Sequence, residues 1–170
     1  MHLFENGVQS KLVEFIGNRF NIVFYNSAAV FYLKSHIQDF LFKWPSPNRL
    51  LQLVAKDIVE PVYLAGVRAL GIPDEIVTSP FFRLTENTKF VLELNPHLKR
   101  MQECFEKWSA DSSPLLEGAT LFDEEIVPIH RDDMFDSLFQ EQGVQLETLT
   151  QEALEIIFNS WLLFEKQAQD

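Results

Sequence analysis

Hydrophobic positions recur along most of this chain at the three-and-four spacing of helices, and the residues between them mark starts and stops. Val8, Leu12, Phe15 and Ile16 predict an amphipathic helix over 5–17, with Gly17-Asn18 as its end. Arg19–Tyr25 is short and rich in Phe and β-branched residues, which suits a strand or a buried connector. Asn26-Ser27 can cap a second helix, whose Val30, Leu33, Ile37, Phe40, Leu41 and Trp44 keep the spacing until Pro45. Ser46-Pro47 restarts the pattern, and apolar residues run from Leu50 to Leu70. Pro61 predicts a kink or a break near Val59-Glu60, because proline removes an amide donor and clashes one turn back. Gly71 and Pro73 read as the end of that run.

Two readings of residues 72–95 stay open. Pro73-Asp-Glu and Ser79-Pro80 can start helices, whereas Phe90, Leu92 and Leu94 alternate as in a strand that could pair with Phe20–Tyr25. Asn95-Pro96 then opens a helix with Leu98, Met101, Phe105 and Trp108 on one face, ending before Asp111-Ser-Ser-Pro114. Residues 111–129 contain Pro114, Gly118 and Pro128 and few periodic apolar positions, so a long acidic loop is expected. Asp132 or Asp133 caps a short helix that groups Phe135, Leu138 and Phe139 and stops by Gly143. Thr148-Leu-Thr150 begins the last helix, with Leu154, Ile157, Phe158, Trp161 and Phe164/Glu165 in register. The expectation is a mainly α, single helical domain over residues 1–170, of about six or seven helices, with a minor two-stranded element left open.

Composition supports one folded domain: in 170 residues, 46% are hydrophobic and 16 are Phe, enough bulk for a core. Charge divides the chain more sharply than hydropathy does. Residues 1–102 carry a net +2, and residues 103–170 a net −13, with only Lys107, Arg131 and Lys166 basic. Such a field repels nucleic acid and anionic lipid and attracts basic protein surfaces. The single Cys104 allows no internal disulfide and no thiolate cluster, which fits a reducing compartment. Met1-His-Leu-Phe-Glu-Asn-Gly lacks the pattern of a secretory signal, and the apolar runs are short of the roughly 20 residues of a membrane span. A soluble, cytoplasmic protein is expected.

Candidate chemistry is sparse. Asp132, Asp133 and Asp136 fall three and four apart on a helix and could converge on a hard cation, but acidic residues are also what a helix start favours without any ligand. Glu124-Glu125 could act as an acid–base pair if burial raised one pKa. Cys104 borders an apolar helical face, where thiols pack as small hydrophobes, and His2, His36, His97 and His130 are scattered. No G-x-S-x-G, H-E-x-x-H, CxxC or phosphate-binding glycine loop is present, so no cofactor or metal centre is expected. Phe20, Phe24, Tyr25, Phe31, Tyr32, Phe40, Phe42 and Trp44 make one stretch aromatic around much of a helix, as for a central helix or for one that carries a docking flank.

The reading these features favour is a non-enzymatic interaction protein, of the antagonist, immunity or adaptor kind, whose acidic C-terminal part docks a basic partner. Glu117, Phe122, Asp123, Glu124, Glu125, Asp132, Asp133 and Asp136 are its candidate contact residues, with Leu115, Leu116 and Leu121 adding apolar contact. The rival is a helical small-molecule or metal-dependent enzyme, with the 20–44 aromatics lining a pocket and Asp133 and Asp136 as ligands. A homo-oligomer is the third expectation, motivated by the broad apolar helix.

Overall fold

The computed structural model describes residues 10–14 and 19–169. Seven helices of at least seven residues are present among them: α1 (Arg19–Lys43), α2 (Arg49–Asp57), α3 (Pro61–Pro73), α4 (Ser79–Asn87), α5 (Asn95–Ala110), α7 (Asp133–Phe139) and α8 (Val144–Gln169). Ser113–Leu116 is a single turn, α6. A π-helical turn (Asp74–Thr78) joins α3 to α4, a 3-10 turn (Val91–Leu94) precedes α5, and no strand occurs among the described residues. The chain is mainly α, as its periodicity implies.

Several local expectations are overturned. Arg19–Tyr25 is neither strand nor connector but the first part of α1, so Asn26 and Ser27 lie inside the helix. The Ser27 hydroxyl donates back to the Val23 carbonyl, and the Asn26 amide both donates to and accepts from the backbone of Val13. That pair of hydrogen bonds anchors residues 10–14, which take no regular secondary structure and so are not helical. Val8, Phe15 and Ile16, and the side chains of Phe20, Phe164 and Glu165, lie outside the described residues. Phe90–Leu94 forms no strand: Val91–Leu94 is a 3-10 turn, and four of the five positions are exposed. α2 begins after Asn48, whose side chain caps the Leu50 amide at 2.8 Å, rather than at Pro47. α8 begins four residues before Thr148, directly after Gly143, which adopts φ +92°.

α3 is the central element, packed against α1 on one side and α8 on another, with α5 against the far side of α8. Its contact with α1 is close because Gly71 faces Ala28: a Cβ on Gly71 would lie 2.8 Å from the Ala28 Cα. Gly71 is therefore a backbone-to-backbone contact, not a helix stop, and α3 runs on through Pro73 into the π turn. Gly66, on the same helix, has nothing within 4 Å of the position a methyl would take. Gly71→Ala is expected to cost about 1–3 kcal/mol through overpacking, and Gly66→Ala to add about 0.5–1 kcal/mol through a stiffer unfolded chain. Urea unfolding of the two variants tests the pair, and equal effects would contradict the close packing.

The core gathers Phe31 from α1, Ala69 and Ile72 from α3, Ile76 from the π turn, Leu138 from α7, and Leu154 and Phe158 from α8. Phe105 and Trp108 of α5 pack on Phe158 with ring centroids 5.1 and 5.3 Å apart. No helix among the described residues is long and apolar enough to cross a membrane.

Candidate functional site

The acidic segment is more folded than its composition suggests. After α6, Ala119 and Gly118 donate to the carbonyls of Pro114 and Leu115, and Ile126 and Val127 to that of Asp123, so the backbone closes on itself in turns. Gly118 takes φ +87°, which an L side chain would resist. Leu115 and Leu121 are wholly buried, and Phe122 and Val127 nearly so, all within the main core. The expected long loop at 111–129 thus holds one helical turn and contributes core. Leu115, Leu121 and Phe122, expected as contact residues, are corrected: burial leaves them nothing to offer a partner.

The carboxylates behave in the opposite way. Glu117, Asp123, Glu124, Glu125, Asp133 and Asp136 are exposed. Asp123 accepts both nitrogens of the Arg100 guanidinium at 3.1 Å, which holds its carboxyl below the usual range. Glu124 pairs with Arg131 at 2.6 Å. Glu117, Glu125, Asp133 and Asp136 make no ion pair among the described residues.

Asp132 has a structural task. Its Oδ1 accepts the amides of Met134 and Phe135 at 3.0 Å, capping α7, and its Oδ2 pairs with Lys11 Nζ at 3.0 Å. Partial burial opposes ionisation, but those amide bonds and Lys11 outweigh it and keep the carboxyl below its ordinary pKa. With Asp132 so engaged, it does not converge with Asp133 and Asp136. No group of three or more His, Cys, Asp or Glu residues able to hold a metal ion occurs among the described residues. Cys104 is partly buried against the core, and His97 lies edge-on to the Phe122 ring.

One cluster escaped the sequence entirely. Asp74 and Glu75 open the π turn; Asp74 is 3% exposed, and burial raises both carboxyls to about 7. Ser79 Oγ lies 3.4 Å from Asp74 Oδ2, and Arg83 opposes the shift of both acids through its charge. A groove of about 380 Å³ runs beside them, lined by Tyr25, Asp74, Ser79, Phe82 and Arg83 among others. Its lining includes one of the 20–44 aromatics and neither Asp133 nor Asp136. In the sequence, Pro73-Asp-Glu reads only as a possible helix start, and nothing in that pattern marks a buried carboxyl. Comparison with protein-family models, curated proteins and solved structures gives no match.

Proposed function

We propose that the protein is a non-enzymatic interaction module, acting in the cytoplasm, whose acidic C-terminal part docks a basic protein surface. The observation that carries this reading is the sorting of side chains between Glu117 and Asp136. Leu121, Phe122, Val127, Met134 and Phe135 turn into the core while six carboxylates face outward on a backbone closed by turns. A preformed acidic face loses less ordering entropy on binding than a flexible acidic tail, and its field speeds encounter with a basic partner. Arg100 and Arg131 neutralise only Asp123 and Glu124, so Glu117, Glu125, Asp133 and Asp136 supply the uncompensated charge. With Phe122 in the core, Ile126 at 54% exposed is the apolar residue that this face presents.

The test neutralises Glu117, Asp123, Glu124, Glu125, Asp133 and Asp136 to their amides and spares Asp132, whose loss would uncap α7. A basic protein captured by the wild-type chain at low salt should be released at about 1 M salt, where charges more than about 3 Å apart are screened. The six-fold variant should lose at least tenfold in affinity for that purified partner while keeping its far-ultraviolet circular dichroism. Equal affinity would remove the acidic face from the interaction.

A further inference from the structure

α2 buries none of its residues. It follows the end of α1 through the turn at Pro45–Asn48, with Leu41 buried before that turn and Ile58 buried after the helix, and exposes Leu50, Leu53 and Val54; Phe42 of α1 is exposed as well. Leu50 is 66% exposed and Phe42 63%, an apolar arm that the described residues leave uncovered. Lys43, Arg49 and Lys56, all exposed, flank it.

A complementary feature follows the arm along the chain. Four residues after α2, Pro61 begins the wall of a mainly apolar notch of about 320 Å³, whose other apolar walls are Leu64 of α3 and Val144 and Leu146 at the start of α8, with Gln142 and Gln145 also lining it. Exposed Glu60 and Glu141 lie at its edge in the sequence, one beside Pro61 and the other beside Gln142 of the lining. The molecule therefore carries both an exposed apolar arm with basic flanks and, shortly after it along the chain, a concave apolar notch with acidic neighbours. A two-fold interface requires this, because each copy must present both halves of the contact.

We infer that the arm and the notch form a self-complementary face through which two copies of this chain associate, the α2 arm of each seated in the Pro61/Leu64/Val144/Leu146 notch of the other. A basic protein would match only the notch, and an anionic lipid surface only the arm; a second copy satisfies both. The carboxylates between Glu117 and Asp136 take no part, so this inference and the acidic-face reading fail separately.

The test is the mass of the full chain by sedimentation velocity across a concentration series. Wild type should pass from monomer to dimer. Leu50→Gln with Leu53→Gln should abolish the dimer and leave the circular dichroism unchanged, since α2 contributes nothing to the core. Reversing the arm (Lys43→Glu, Arg49→Glu, Lys56→Glu) or the notch (Glu60→Lys, Glu141→Lys) should each weaken the dimer at least tenfold, and combining both sets in one chain should restore it. A monomer at every concentration overturns the inference, as does a dimer indifferent to Leu50 and Leu53. Monomeric wild type that floats with phosphatidylserine vesicles, and loses this with the leucine variant, would assign the arm to lipid instead.

Discussion

Replacing Arg68 with alanine is expected to lower the stability of the fold by about 3–5 kcal/mol. Arg68 is fully buried in α3, yet it is charged, so its retention depends on its partners. Nε donates to the Leu138 carbonyl at 2.7 Å and Nη2 to that of Gln140 at 3.3 Å, which satisfies acceptors at the C-terminal end of α7. Nη1 lies 2.9 Å from Glu147, whose carboxylate also accepts the Gln142 amide and so fixes the start of α8. The guanidinium rests 5.7 Å from the Phe31 ring of α1. One side chain thus ties α3 to α1, α7 and α8, and its loss takes a donor from the Leu138 and Gln140 carbonyls and the ion-pair partner from Glu147. Arg68→Lys should recover only a minority of the loss, because an ammonium cannot serve three acceptors in a planar fork. Equilibrium urea unfolding measures both, and a cost below about 1 kcal/mol for alanine would show that solvent or Glu147 rearrangement replaces the network.

The second large effect is on pH dependence. Asp74 has a folded-state pKa of about 7 because burial disfavours its charge, against about 4 for a carboxyl in an unfolded chain. Below pH 4 it is protonated in both states and its contribution is fully present; as pH rises through 7 the folded chain must either hold the proton or bury a charge, and the contribution is lost. Glu75, raised to about 7 by burial and by Asp74, acts in the same direction. Asp74→Asn should therefore stabilise the protein at pH 8 by roughly 1–3 kcal/mol, a rise of several degrees in Tm, and change little at pH 4. Thermal melts between pH 4 and 9 decide it. Parallel profiles for wild type and variant would mean that Asp74 ionises in place, with Arg83 offsetting the burial.

Much of the local architecture was legible because its cause is local. Asn95-Pro96 and the polar residues from Asp111 bound α5, Asp132 caps α7, and Pro61 separates α2 from α3, since caps and prolines act through their immediate backbone. The acidic character of the C-terminal part was likewise a property of the residues themselves. The candidate face was legible as charge but not as surface: Glu117 and Phe122 sit in the same acidic stretch, and only packing turns one outward and the other into the core.

Sequence by itself determined the helical class, several helix boundaries and the division of charge, because periodicity, capping and net charge depend on residues close in the chain or on none. Tertiary structure decided the rest. Arg19–Tyr25 is too short for its pattern to separate strand from helix, and its place in α1 follows from the continuation of that helix across Ala28 against Gly71. Gly71 as a contact, Arg68 as a buried clamp, Asp74 as a desolvated carboxyl and α2 as an uncovered arm all depend on what stands opposite each residue. Those neighbours come from distant parts of the chain, and a linear pattern carries no record of them.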